Sequence, residues 1–156
     1  MSFASRLVPA QVAINPSWRG FDATVDGLLD CLIGAGSVPA GLRSESGAAV
    51  RAREHEASTA VLETGVGVPH ARITGLARPA VALAVAARGL YEAAPTVRIR
   101  IVALVLSPVA ALDEHLRTLA DVATLLHSSD LRALLLRAGD PAAALDVIQR
   151  FSRAMP

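Results

Sequence analysis

The chain contains no lysine: all fifteen of its basic residues are arginine. A P-loop needs a Gly-Lys-Ser/Thr sequence, so that class of nucleotide site is excluded. Fourteen acidic residues balance the arginines to a formal net charge of +1. Because the two signs are mixed along the chain, there is no basic surface of the kind that nucleic-acid partners require. Aromatic residues are also scarce, at 3%, which predicts an aliphatic core with Trp18 and Tyr91 as isolated large side chains.

Cysteine is almost absent as well. Cys31 is alone, which excludes an internal disulfide, and its apolar helical surroundings predict a buried packing residue. The apolar run from Pro79 to Ala87 is followed by Arg88, well short of the ~20 residues of a membrane span. The first residues lack the sustained apolar run of a signal peptide. We therefore expect a soluble cytoplasmic protein, folded as one domain over 1–156 with a core at about 6–150.

Apolar periodicity predicts the secondary structure. Helical spacing begins near Asp22–Thr24 and ends at Gly34, and a second helix is predicted over Ala40–Glu56. Strand-length apolar runs then follow, and helical spacing returns near the carboxyl end. The strands are predicted at 66–68, 80–87 and 97–106, and the later helices at 112–126, 130–138 and from Pro141 onward. Residues 6–14 are expected to be a short strand or an extended lead-in. This order predicts an α/β domain with three layers.

Glu63–Arg72 is the segment with the strongest chemical interest. A glycine turn leads into the short apolar segment 66–68, which then meets Pro69 and His70. Proline has no N–H, so we expect the strand to end there and His70 to lie at a loop end beside the sheet. Site residues are frequent at such positions. The position alone fits a solvated loop histidine equally well, so both interpretations stay open.

The other histidines carry weaker signals. His115 lies on the apolar stripe of its helix, a pattern that favours a half-buried structural histidine over a ligand. His127 fits a helix C-terminal cap, and His55 fits a solvated helical residue. Zinc-type spacing, a Gly-x-Ser-x-Gly elbow and a complete dinucleotide glycine motif are absent from the sequence, so we predict no metal and no cofactor. Arg53 ordinarily forms a solvated pair with Glu54. It would matter only if the fold brought its guanidinium, which binds phosphate in bidentate geometry, close to His70.

Several of these residues together resemble a known signature. The resemblance is to the fructose/mannitol-type enzyme IIA domains of the bacterial phosphoenolpyruvate-dependent phosphotransferase system, which include stand-alone nitrogen-regulatory proteins. It is carried by Arg53-Glu54, Ser58-Thr59, Gly65-Val66-Gly67-Val68-Pro69-His70-Ala71-Arg72, Gly75-Leu76 and Pro79. It continues through Leu104-Val105-Leu106-Ser107-Pro108 and His115-Leu116-Arg117-Thr118-Leu119-Ala120, and covers about residues 6–150.

The resemblance implies both a fold and a chemistry. The fold would be a three-layer α/β/α domain with a mixed central sheet. His70 would accept a phosphoryl group from the phosphocarrier HPr and pass it to a cysteine of an enzyme IIB, or hold it as a regulatory signal. Arg53 would steady the phosphate oxygens, and His115 would donate a hydrogen bond or positive charge. Thr64, Gly65 and Gly67 would neighbour the phosphate, with backbone N–H groups orienting the site.

Two further readings stay open. The chain could be a regulatory binding module whose phosphorylation state controls partner proteins, or a structural domain that has lost phosphotransfer. Retention of both His70 and His115 argues against the second. The segment 66–69 is predicted to form an exposed apolar patch suited to docking. The sequence leaves open the sugar, the partner and whether the chain forms a homodimer.

Overall fold

A computed structural model describes residues 2–155 and contains five α-helices and eight strands within that range. The helices are α1 Phe21–Gly34, α2 Arg43–Glu56, α3 Leu112–Leu126, α4 Ser129–Arg137 and α5 Pro141–Ala154. The strands are β1 Val12–Ile14, β2 Ala60–Val61, β3 Val66–Gly67, β4 His70–Ile73, β5 Ala80–Val85, β6 Tyr91–Ala94, β7 Val97–Ile99 and β8 Ile101–Pro108.

The main sheet is built around β8. Its strand order is β1-β5-β8-β3-β2, and β4 also pairs with β8. Strands β3 and β4 follow one another along the same edge of β8, both parallel to it: Val66 lies opposite Ile101, and His70 opposite Val105. On the other edge β5 is antiparallel to β8, and β1 is parallel to β5. The sheet is therefore mixed.

The two faces of the sheet are covered by different helices. Successive side chains of a strand point to opposite faces. Thus Leu83 and Val105 pack with α3, α4 and α5, while Ala82 and Leu104 pack with α1 and α2. Strands buried on both faces explain the continuous apolar runs in the sequence. The predicted three-layer α/β/α fold with a mixed central sheet is confirmed.

The strand boundaries correct the sequence prediction near the site. His70 does not lie at the end of a strand; it begins β4. Only Val68 and Pro69 separate β3 from β4, and the Pro69 carbonyl accepts from Val105 N–H at 3.0 Å. The predicted strand 97–106 is in fact β7 and β8. Strand β6 lies in a region for which the sequence predicts no strand; β6 and β7 form a hairpin of their own. The short strand expected within 6–14 is β1 at Val12–Ile14, and the residues before it include 3-10 turns at Ala4–Arg6 and Pro9–Gln11.

The few large aromatic side chains fill spaces that glycines leave. The Trp18 ring lies against Gly27 of α1, and the Tyr91 hydroxyl lies against Gly67 of β3. Tyr91 also meets Phe21 edge to face, with ring centroids 5.2 Å apart. Cys31 is only partly buried, in contrast to the prediction, and burial together with the Asp30 carboxylate raises the pKa of its thiol. Within residues 2–155, none of the helices has the length and hydropathy needed to cross a bilayer.

Candidate functional site

Strand alternation places His70 on a defined face of the sheet. Ala71 and Ile73 point into the core beneath α1 and α2. His70 and Arg72 therefore point to the opposite face, the one covered by α3. Among the described strands β4 pairs only with β8, so it is an edge strand, and α2 packs against it. The imidazole thus lies at the edge of the sheet, partly buried between two helices.

A hydrogen bond fixes the tautomer of His70. Its Nδ1 atom lies 2.7 Å from the carbonyl oxygen of Val68. A carbonyl oxygen can only accept, so the proton of the neutral ring is on Nδ1. Nε2 then carries the lone pair and is the nucleophilic nitrogen of the ring.

His115 approaches His70 from α3. It lies in the first turn of that helix and is only 6% exposed. Its Nδ1 atom lies 2.8 Å from the hydroxyl oxygen of Ser107, which is fully buried at the end of β8. The strand β8 and the helix α3 that follows it therefore hold this ring from two sides.

The two imidazole rings form a pair. Their centroids are 5.5 Å apart and the ring planes are inclined at 51°. The pKa of His115 is lowered from 6.5, first by burial and then by the nearby charges of His70 and Arg72. His115 is therefore neutral near pH 7 and can present an N–H without a full positive charge.

Two arginines complete a cleft around this pair. The cleft has a volume of about 520 Å³ and is lined by His70, His115, Arg53, Arg72 and Glu56 together with small apolar side chains. One guanidinium nitrogen of Arg53 donates to the Ala57 carbonyl at 3.1 Å, which anchors the group at the end of α2. Arg72 is anchored in the same way by the Val109 carbonyl at 3.3 Å. Among residues 2–155 neither side chain forms another hydrogen bond, so their remaining N–H groups can bind an anion.

The fold thus brings together the three main residues of the sequence prediction: His70, His115 and Arg53. It does not bring the predicted phosphate neighbours to the same place. Thr64 and Gly65 line a different cleft, near Ile101 at the other end of β8. Since β3 precedes β4 along the same edge, four residues of β8 separate them from His70, about 13 Å. Gly67 is buried against Tyr91.

The predicted docking patch at 66–69 is also corrected. Val66, Gly67 and Pro69 are buried, because β3 pairs on both of its edges. Large exposed apolar side chains lie instead at the start of α3 and in the turn before it: Val109, which lines the cleft, is 47% exposed, Leu112 46% and Leu116 54%. The other two histidines match their predictions, since His55 is an exposed residue of α2 and His127 is the C-terminal cap of α3.

Sequence reasoning did not single out two residues of this site, Arg72 and Ser107. Arg72 could have been found from the alternation of β4, since it follows His70 by two residues and so shares its face. It was missed because His70 was placed at a strand end. Ser107 has no sequence signal of a site residue, since only the packing of α3 on β8 brings it to His115.

Comparison with known families decides what kind of protein carries this site. Residues 39–151 match the family model described as "Phosphoenolpyruvate-dependent sugar phosphotransferase system, EIIA 2". The chain belongs to this family. It is also 31% identical over 128 residues to a fructose-specific EIIA component of Haloferax volcanii, a match covering 81% of each chain. A fructose-specific EIIABC component of Bacillus subtilis is 29% identical over 106 residues, but that match spans only 16% of the longer relative.

Solved structures of EIIA proteins have the same fold. The nitrogen regulatory protein IIA-Ntr of Neisseria meningitidis superposes with a TM-score of 0.79 at 19% identity, over 93% of this chain and 97% of that one. Enzyme IIA of the mannitol system of Escherichia coli, in a complex with phosphorylated enzyme IIB, gives a TM-score of 0.75 at 13% identity, over 96% and 99%. The chain is thus a type-2 EIIA with a phosphocarrier role in the phosphotransferase system.

Proposed function

We propose that this EIIA accepts a phosphoryl group from an HPr-type carrier on Nε2 of His70. The observation that carries the proposal is the hydrogen bond from Nδ1 of His70 to the Val68 carbonyl. It leaves Nε2 unprotonated without any base having to remove a proton first. In the transfer, the Nε2 lone pair forms a bond to phosphorus, while the bond from phosphorus to the donor atom breaks and its electron pair returns to the donor.

The surroundings of His70 favour a phosphoryl group. Phosphoryl transfer depends on positioning and on the stabilisation of charge at the phosphate oxygens. Arg53 and Arg72 line the cleft with anchored guanidiniums, against the single carboxylate of Glu56. The first turn of α3 adds the positive end of a helix dipole.

His115 acts in this proposal as a neutral donor. In this proposal the Ser107 hydroxyl, 2.8 Å from Nδ1 of His115, is the donor of their hydrogen bond. The proton of that ring is then on Nε2, from which it can donate to a phosphoryl oxygen. A phosphoryl group carrying ~1.5–2 negative charges would raise the pKa of His115 again. The pair would therefore stabilise the phosphorylated form more strongly than the free one.

The onward step uses the same geometry. A thiolate of an enzyme IIB cysteine would attack phosphorus, and the P–N bond would break with its electrons returning to Nε2 of His70. The exposed side chain of Val109 lines the cleft, and the exposed side chains of Leu112 and Leu116 lie on the same helix turn as His115; these apolar groups would meet the protein partner.

The second candidate function is a regulatory one, in which the phosphorylation state of His70 controls partner binding and no sugar is transported. It is favoured by the structural similarity to the nitrogen regulatory protein. Incubation with enzyme I, HPr and phosphoenolpyruvate tests the step that both candidates share. We expect one phosphoryl group on the native chain and none on His70→Ala, with His55→Ala labelled normally; equal labelling of His70→Ala would exclude His70. Pull-down with native, phosphorylated and His70→Ala protein then separates the two, since only a regulator retains partners other than HPr and IIB.

A further inference from the structure

A second basic cleft lies away from the histidine pair. It has a volume of about 420 Å³ and is formed by the segment before β1, the loop after α1 and the loop between β4 and β5. We call it the Arg6–Arg78 cleft; its lining is Arg6, Gln11, Gly36, Ser37, Pro39 and residues 75–79. Two of these residues carry guanidinium groups and none carries a carboxylate. The cleft shares no lining residue with the cleft around His70.

Arg6 is the unusual member of this lining. Its side chain is only 10% exposed, and one of its nitrogens donates to Glu114 of α3 at 2.7 Å. Its Nε atom is buried and has no hydrogen-bond partner among residues 2–155. A buried guanidinium donor needs an acceptor, and an orphaned one indicates a water or an anion.

Further donors belong to the same cleft. The Ser37 hydroxyl oxygen accepts from Gln11 at 2.9 Å, and among residues 2–155 its own proton has no acceptor. Arg78 is exposed and forms no ion pair with any described residue. Within the described chain, the backbone N–H groups of Ala77 and Arg78 donate no hydrogen bond.

We propose that the Arg6–Arg78 cleft binds the phosphate group of a small molecule. Two guanidiniums and a hydroxyl supply donors from three separate elements of the fold. This suits the several terminal oxygens of a phosphate better than the two oxygens of a carboxylate. The volume leaves room for an organic group beside the phosphate.

The proposed site has a physical connection to α3. Glu114, which holds Arg6, immediately precedes His115 in the first turn of that helix. Because Glu114 and a bound phosphate would share one guanidinium, each would weaken the hold of the other on Arg6. Removal of the Glu114 charge should therefore tighten phosphate binding.

The test is an amide-resolved NMR titration of the whole chain with inorganic phosphate. We expect saturable shifts at Gly36, Ser37 and 75–78. Arg78→Gln should weaken the phosphate affinity measured from these amide shifts by about tenfold, because it removes one charged hydrogen bond. Arg88→Gln removes an equally exposed arginine elsewhere and should leave it unchanged. Absence of these shifts, shifts confined to the amides around His70, or an undiminished affinity in Arg78→Gln would each overturn the proposal.

Two further arms sharpen the test without substituting the buried Arg6 itself. Glu114→Gln should tighten phosphate binding by about threefold or more, whereas Asp113→Asn, which removes a neighbouring carboxylate that does not contact Arg6, should change it by less than about twofold. Equal effects of the two variants would show that Arg6 is not a ligand. A parallel titration with acetate should give binding at least about tenfold weaker; equal affinity for acetate would overturn the assignment to phosphate.

Discussion

Nδ1 of His115 and the hydroxyl oxygen of Ser107 lie 2.8 Å apart in the buried space between β8 and α3. In the proposed arrangement the Ser107 hydroxyl donates to this nitrogen, which leaves the proton of the His115 ring on Nε2. The sequence does not predict this contact, because a turn and the start of a helix separate the two residues along the chain.

Ser107→Ala should slow phosphorylation of His70 by about tenfold, because the loss of the hydroxyl frees the tautomer of His115. The rate of transfer from phosphorylated HPr measures this, together with the ¹⁵N shifts of the His115 ring. Thr118→Ala is the control, since it removes a buried hydroxyl of α3 that donates to the backbone carbonyl of Glu114 and does not contact the His115 ring. An unchanged tautomer in Ser107→Ala would contradict the role given to Ser107.

The lowered pKa of His115 predicts how stability depends on pH. The unfolded chain takes up a proton near pH 6.5 and the folded chain only at a lower pH. Between those two values the unfolded state binds more protons, so the free energy of unfolding falls as pH falls. Chemical denaturation across pH 7.5 to about 5 should show this slope.

The same measurement on His115→Gln should give a shallower slope through that window, whatever the absolute stability of the variant. His55→Gln, which changes an exposed histidine of α2, should keep the native slope. Identical slopes for all three proteins would show that His115 titrates normally.

Arg72 is predicted to contribute to phosphate stabilisation even though it was absent from the sequence-based site. Arg72→Gln should lower the rate of phosphoryl transfer to His70 by about ten- to a hundredfold. Arg88→Gln, at an exposed position outside the cleft, should transfer at the native rate. Arg72→Lys should restore part of the rate, since a point charge replaces the guanidinium fork. If Arg72→Gln were phosphorylated at the native rate, Arg72 would have no role in stabilising the phosphoryl group.

Gly67 is predicted to be required for packing. A methyl group there would overlap the Tyr91 hydroxyl, so Gly67→Ala should lower the free energy of unfolding by about 1–3 kcal/mol. The Tyr91 hydroxyl is buried without a partner among the described residues, and burial and then the charge of Glu54 raise its pKa.

Tyr91→Phe should therefore cost little in the native background and should recover part of the loss in Gly67→Ala. A double-mutant cycle by urea denaturation measures this coupling. If the two changes in the free energy of unfolding were simply additive, the added methyl group would not be in conflict with the Tyr91 hydroxyl.

The sequence predicted the layers of this fold well because its strong periodic runs lie in the core. The helix over 112–126 and the capped start of α5 at Asp140-Pro141 are examples; the Asp140 side chain accepts from Ala143 N–H at 2.8 Å. The hairpin β6–β7 was missed because Ala94-Pro95-Thr96 resembles a connection. Its strand positions are stabilised by contacts with β3 and α1 that no local pattern contains.

Site residues could be predicted from the sequence where residue type and family motif identify them. They could not be predicted where their position depends on the pairing register of β3 and β4 with β8. His70, His115 and Arg53 share a cleft as predicted. Thr64 and Gly65 were expected beside His70 from closeness in sequence, but an extended chain carries them about 13 Å away along β8. The organisation as one domain and the chemical roles of the site residues stay predictions.

The central claim is that His70 carries the phosphoryl group on Nε2. The most direct test is long-range ¹H–¹⁵N NMR of the His70 ring after phosphorylation with enzyme I, HPr and phosphoenolpyruvate. We predict phosphorus coupling to Nε2 of His70, with the Nδ1 proton still bonded to the Val68 carbonyl. Phosphate on Nδ1 of His70, on His115, or on no histidine would contradict the account.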